Sequence, residues 1–252
     1  MNPRDAVERF HLIFLRHFAP VLSSGTVCLK GGANLRLFHG SPRLSEDIDF
    51  DVRIVAVDTL GKNVAKVLGS QPLKSELAAI GIGIGEIKAA KQTQTTQRWK
   101  IRINFEEAVS PTRLELSRRN DDPFEESVTE PPSLALLAEK KIVPFVFNHY
   151  LPPAAYRQKI NALATRTQAQ ARDVFDLHHL SKYAAAVREA PRELVQRALE
   201  QLCLISFDMF RDQVVPYLPQ DLAGYYGTPE AWKTISEKVL GDLSVALKPA
   251  SQ

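Results

Sequence analysis

Lys30-Gly-Gly-Ala-Asn-Leu-Arg-Leu-Phe-His-Gly-Ser-Pro-Arg-Leu-Ser-Glu-Asp-Ile-Asp-Phe50 is the stretch on which the fold of this chain turns. The glycine pair Gly31 and Gly32 follows a short apolar run, Thr26 to Leu29, and Asp47 and Asp49 open a second one, Ile48 to Val55. Successive side chains of a strand alternate faces, so the two aspartates share a face with Cα atoms roughly 6.5 Å apart. Two carboxylates on one face repel unless a cation joins them, and Mg²⁺ combines one or two carboxylates with waters and substrate phosphates. A glycine turn that enters a helix presents backbone N–H groups to phosphate oxygens. A phosphate seat beside metal-holding carboxylates is the equipment of nucleotidyl transfer.

Other readings of the same residues fail on spacing. Asp47, Asp49 and Asp51 fit the first, third and fifth positions of a calcium loop. The sixth position is Val52 where glycine is needed, and the twelfth is Asp58 where glutamate is needed. The glycines match neither the P-loop, which ends in Gly-Lys-Ser/Thr, nor the dinucleotide fingerprint. Asp is disfavoured inside strands, which argues against a plain turn pair. Asp51 lies on the same face and is a possible substitute ligand.

Working outward, the chain has 252 residues, 44% of them hydrophobic, enough for one large domain or two moderate ones. No apolar run approaches the roughly 20 residues of a membrane-spanning helix. Residues 1–9 are polar and Arg16 interrupts the apolar stretch that follows, so no secretory leader is expected. Cys28 and Cys203 are the only cysteines, which excludes a disulfide framework or a cysteine zinc site; Cys28 reads as a buried free thiol. A cytoplasmic protein is expected. Net charge is only +3, but Lys88 to Arg119 holds eight bases (Lys88, Lys91, Arg98, Lys100, Arg102, Arg113, Arg118, Arg119) against Glu106, Glu107 and Glu115. Such a surface suits a polyanion; a solvated charged face fits it equally.

Periodicity and breakers predict a helix over 4–18 and strands over 26–29 and 48–55, with a helix from 33 to 38 between them. Helices follow at 58–68 and 73–80, then strands at 82–88, 99–105 and 112–117, with 92–97 as a hairpin loop. Residues 120–132 are acidic and proline-rich and read as a linker. Helices are predicted at 133–147, shortened or kinked by Pro144, and at 153–164, 169–183, 191–204, 206–217 and 229–247. The expected class is α+β: a small mixed sheet with flanking helices over 1–125, then a helical domain over 126–252 completing a cleft.

The stretch resembles the core motif of the nucleotidyltransferase-fold superfamily. Its fuller wording, Lys30 to Leu37 and Arg43-Leu-Ser-Glu-Asp-Ile-Asp-Phe50, resembles the AbiEii/MenT toxin family of AbiE-type and MenAT toxin–antitoxin systems, with Arg43, Ser45, Asp47 and Asp49 matching position by position. Two later segments resemble the same family: Leu137-Ala-Glu-Lys140 and Arg172-Asp-Val-Phe-Asp-Leu177. The Lys140–Arg172 interval, with Pro144, Pro152 and Pro153, is long for the family. The resemblance implies catalytic roles for Asp47, Asp49, Lys140 and Asp173. It implies nucleotide contacts from Gly31, Gly32, Arg43, Ser45, Lys140, Arg172 and Asp176, and metal at Asp47 and Asp49.

Lys140, a compact cation on a helix, suits triphosphate, although with Lys141 it also reads as a surface lysine. Arg172 and Asp176 stand one turn apart and make either a simple helix salt bridge or a unit in which Arg172 holds phosphate and Asp173 or Asp176 orients Lys140. Glu115, between Leu114 and Leu116, fits the superfamily's third carboxylate, as base or metal ligand, and equally an outward-facing strand residue. His178 and His179 point about 100° apart on a helix and read as packing or surface residues.

The resemblance implies a Mg²⁺-dependent nucleotidyltransferase toxin that transfers a nucleoside monophosphate from a nucleoside triphosphate to an acceptor hydroxyl. The acceptor it implies is RNA, first the 3′ end of tRNA, and a cognate antitoxin is implied as partner. Ser23, Ser24 and Ser41, near the glycine turn, are open to control by modification. A small-molecule or protein hydroxyl as acceptor, or a binder that has lost turnover, are the other readings.

Overall fold

The computed structural model describes residues 1–23, 25–118 and 126–247. The described residues fall into two compact units, one within 1–40 and 44–150 and the other of 41–43 with 151–247.

The first unit opens with α1 (Pro3–Phe18), capped by Asn2, whose side chain accepts a bond from the Asp5 N–H. Then come β1 (Val27–Lys30), α2 (Gly31–Phe38), β2 (Asp47–Val52), α3 (Val57–Gly69) and α4 (Gln71–Ala78). The meander β3 (Ile82–Gln92), β4 (Thr96–Phe105) and β5 (Ala108–Ser117) follows, and β6 (Ser127–Glu130), α5 (Leu134–Lys140) and β7 (Phe147–Tyr150) complete the unit. All seven strands make one mixed sheet, ordered β3-β4-β5-β2-β1-β7-β6. β2 runs antiparallel to β1 and parallel to β5, and β7 runs parallel to β1.

One face of this sheet is apolar. Ile48, Phe50, Trp99, Ile101, Ile103, Leu114 and Leu116 join Phe10, Phe14 and Phe18 of α1 in a single core. The α1 rings stack along the helix, and Phe18 meets Phe50 edge-on at 6.0 Å. Strand alternation therefore turns Asp47, Asp49, Arg98, Lys100, Arg113 and Glu115 to the opposite face.

Several expectations need correction. Gly31 and Gly32 are the first turn of α2 instead of a turn before it. The β3–β4 hairpin is longer than expected, with only 93–95 as loop, because the Thr93 N–H and hydroxyl close on the Thr96 carbonyl. β5 starts earlier than expected. Pro111 falls where β5 is paired on one side alone, with β4, because β2 pairs with it only from Arg113 onward.

Residues 127–130, expected as linker, form strand β6; the expected helix 133–147 stops at Lys140, and its last position opens strand β7. Lys141 ends α5 in a left-handed conformation with φ of 56°. The compact units divide at Tyr150/Leu151, later than the expected 125/126, because β6 and β7 complete the sheet. Arg119 and 120–125 of the expected linker lie outside the described residues.

The second unit is helical: α6 (Pro152–Thr165), α7 (Ala171–His179), α8 (Arg192–Cys203), α9 (Phe207–Gln213), α10 (Gln220–Tyr226) and α11 (Pro229–Ser244), with 3₁₀ segments at Ser181–Glu189, Val215–Tyr217 and Val245–Leu247. Its aromatic core joins Phe175 to Phe210 and Tyr226, and Phe210 stacks on Trp232 at 5.0 Å. The expected helices 169–183 and 206–217 each end early in a 3₁₀ turn, and α10 was not expected. No described helix is long and apolar enough to cross a membrane.

Candidate active site

In the first unit β1 ends and α2 begins at Gly31, whose φ of +71° is left-handed. A Cβ there would stand 3.1 Å from Asp49 Oδ2. Glycine is thus needed twice, for its backbone and for the close approach of the Asp49 carboxylate. The orphan N–H groups of the first turn of α2 begin at this point. The register pairs Lys30 with Asp49 across β1 and β2 and Asp49 with Glu115 across β2 and β5, so the glycine turn and three carboxylates converge.

Arginines hold two of those carboxylates. Arg113, the register partner of Asp47, bonds its Oδ2 at 2.5 Å, and Arg98 bonds Glu115 at 2.6 Å. The sequence marked both arginines only as part of the basic stretch 88–119; their carboxylate partners are set by a cross-strand register. Asp51 is no substitute ligand: it is buried, paired with Lys30 at 2.5 Å and accepting the Tyr150 hydroxyl at 2.8 Å. Among the described residues no three His, Cys, Asp or Glu side chains form a ready-made metal cage. Two half-buried carboxylates beside helix N–H groups suit Mg²⁺, which relies on substrate phosphates for its remaining ligands.

Buried bonds fix the start of β2. The Thr112 hydroxyl donates to the Glu46 carbonyl at 2.7 Å, so His11 Nε2, 2.7 Å from Thr112 Oγ1, donates to that hydroxyl oxygen. Burial lowers the His11 pKa to about 3 and keeps the ring neutral. The Ser45 hydroxyl, expected at phosphate, donates instead to the Asp47 carbonyl at 2.9 Å. Cys28 is a buried thiol, as expected, with its pKa pushed up by burial and by the nearby Asp51 charge.

Lys140 is 8% exposed and ion-paired with Asp5, Glu8 and Glu139. Burial alone would lower its pKa, but the carboxylates prevail and raise it. Its ammonium is thus committed to α1 and its own helix, whereas a phosphate contact was expected. The lysine that meets Asp173 and Asp176 is Lys159 on α6, at 3.1 and 2.6 Å, a residue the sequence reading missed. Its signal was a lysine on an otherwise apolar helical face, beside Ala155, Ile160 and Leu163.

Within the second unit Arg43 chelates Asp176 through Nε and Nη2 at 2.8 to 3.1 Å, and Arg166 bonds Asp173 at 2.6 Å. Both aspartates are fully buried. Burial raises the Asp176 pKa, but the Arg43 and Lys159 charges outweigh it and hold the value at about 2. Arg43 and Asp176 were expected at nucleotide and Asp173 in a catalytic role; here they lie in a compensated ion cluster, and the partners of Asp176 are Arg43 and Lys159 where a helix pair with Arg172 was one of the two readings. Arg172 is half-buried at the start of α7. Ser41 is buried, with its Oγ turned to the Arg43 N–H, and so is closed to modification; Ser23 is exposed, and Ser24 lies outside the described residues.

A mixed sheet with a glycine-begun helix and paired aspartates is the fold of known nucleotidyltransferases. MenT4, a nucleotidyltransferase toxin from Mycobacterium tuberculosis, superposes with a TM-score of 0.67 at 16% identity, covering 96% of this chain and 86% of that one. JHP933 from Helicobacter pylori superposes with a TM-score of 0.59 at 18% identity, covering 98% and 92%. No curated protein shows significant sequence similarity to the chain. Residues 13–243 match the profile of the nucleotidyl transferase AbiEii toxin, a component of type IV toxin–antitoxin systems, and the chain belongs to that family.

Proposed function

We propose that this chain is a Mg²⁺-dependent toxin that moves a nucleoside monophosphate from a nucleoside triphosphate onto a hydroxyl of RNA, with the 3′ end of tRNA as the first acceptor to test. The observation that carries this is the Asp49 carboxylate lying against Gly31 at the mouth of α2, with Asp47 two residues away on the same face. Gly31 and Gly32 offer N–H groups to the phosphates, and Asp47 and Asp49 would hold Mg²⁺, which would supply charge neutralisation to the phosphates.

The acceptor oxygen forms its bond to the α-phosphorus as the bond to pyrophosphate breaks, and the hydroxyl proton passes to a carboxylate, Glu115 in this reading, which stands beside Asp49 in the register. Ser45, Thr112 and His11 are positioning residues for β2. Arg43 is held by Asp176, whose other partner is Lys159. A cognate antitoxin and a cytoplasmic setting are part of this reading, which the family supports.

The test is incubation of the protein with each labelled nucleoside triphosphate, total RNA and Mg²⁺. Label should enter RNA, and Asp47→Asn or Asp49→Asn should lower transfer by at least about 10²-fold without unfolding the protein. Full transfer by either variant, or none to RNA by the parent, defeats the reading.

A further inference from the structure

The face of the sheet that carries Asp47 and Asp49 continues as a block of cations. In register, Lys88 on β3 pairs with Lys100 on β4, Lys100 with Arg113 on β5, and Arg113 with Asp47 on β2. The next row runs Lys91, Arg98, Glu115 and Asp49. Arg98 and Arg113 have carboxylate partners. Among the described residues, no carboxylate pairs with Lys88, Lys91 or Lys100, and all three are exposed.

Like charges directly opposite on neighbouring strands destabilise a sheet. Lysine on an edge strand often deters unwanted strand pairing. That accounts for Lys88 and Lys91 on the edge strand β3, but not for Lys100 and Arg113, which lie on interior strands. An anion laid along the row removes the repulsion.

We infer that the Lys88–Lys100–Arg113 row is a phosphate-backbone track that leads a nucleic-acid acceptor, as a paired stem, to the Asp47 end of the sheet. The inference rests on the transferase reading above and assigns its acceptor surface. Neighbouring strands are roughly 4.8 Å apart, so the row spans three strand intervals from Asp47. The side chains that line it are charged. A protein partner is held by buried aromatic or aliphatic anchors, and unpaired bases by aromatic stacking, whereas backbone phosphates need only cations. The alternate positions on β4, Trp99, Ile101 and Ile103, are buried on the other face.

The test measures binding of a fluorescein-labelled RNA stem-loop across a salt series, beside a polyglutamate peptide and a fluorescent triphosphate analogue with Mg²⁺. Lys88→Glu with Lys100→Glu should weaken stem-loop binding at least tenfold at low salt. It should also flatten the plot of log affinity against log salt by about 2, one for each lost phosphate contact. Analogue binding should stay within about twofold, since neither lysine touches the glycine turn. The milder Lys88→Gln with Lys100→Gln should give a smaller loss of the same kind and guards against misfolding.

Lys88→Glu alone relieves the Lys88–Lys100 repulsion, so it should keep or raise the unfolding midpoint while still weakening the RNA, which a merely structural pair would not do. Unchanged stem-loop binding overturns the inference, and unchanged stem-loop binding with lost peptide binding assigns the face to an acidic protein instead. If RNA binding follows the lysines but no nucleotide is transferred, the track stands and the transferase reading falls.

Discussion

At the level of single residues the site depends on backbone geometry that only certain side chains permit. Gly31→Ala places a methyl group 3.1 Å from Asp49 Oδ2 on a left-handed backbone. It should cost about 1 kcal/mol or more of stability and lower nucleotide transfer at least about tenfold, read by urea unfolding and label incorporation. A variant as active and stable as the parent would show that the close approach is unimportant. Ile54 is the opposite case, a β-branched residue at φ of 59° with 90% exposure. Ile54→Gly should raise stability by about 1 kcal/mol, seen as a higher urea midpoint; a lower one would mean that Ile54 makes contacts worth more than its strain. The aspartate pair and the glycine turn were legible because their spacing is local. The carboxylate partners of Arg113 and Arg98 were not, since a register pair joins positions far apart in sequence.

Elements obey the same division. α1, α3 and β1 follow the sequence pattern closely, because a helix stripe or an apolar run declares itself within a dozen residues. β6 and β7 did not, because β7 is held to β1 by a single parallel register pair, Leu29 with His149, far apart in the chain. The α6–α7 pair shows how packing reassigns a role. Lys159 bridges Asp173 and Asp176 on the neighbouring helix, while Lys140, whose local wording suggested that role, is bound to α1. Lys159→Met leaves two buried carboxylates with less compensating charge and should destabilise the second unit by about 3 kcal/mol, measured by thermal and urea unfolding. A change under about 1 kcal/mol would show that Arg43 and Arg166 suffice alone.

At the scale of the molecule, buried ionisable groups set the response to acid. His11 is held neutral with a pKa of about 3 by burial, and His149 at about 4 by burial and the nearby His39 charge. The unfolded chain protonates both near the ordinary 6.5, so it binds more protons than the folded chain between there and about 3. Stability should therefore fall as pH drops from about 6.5 towards 4. Asp176 adds nothing to this window. Its folded pKa of about 2 lies below the ordinary 3.8, so its stabilisation is complete above the latter and is lost only as pH falls towards the former. His11→Gln should flatten the fall in urea midpoint between pH 6.5 and 4. An unaltered slope would place the acid sensitivity elsewhere.

The sequence by itself determined the class of chemistry and the sheet-then-helices order. Side-chain alternation, the glycine pair and the two aspartates are properties of neighbouring residues. The tertiary structure decided which charges meet. Register set Arg113 against Asp47 and lysine against lysine on the open face, and helix packing gave the buried aspartates to Lys159 and Arg43. Such pairings depend on where distant segments come to rest, and a buried charge takes whichever partner that packing brings within reach.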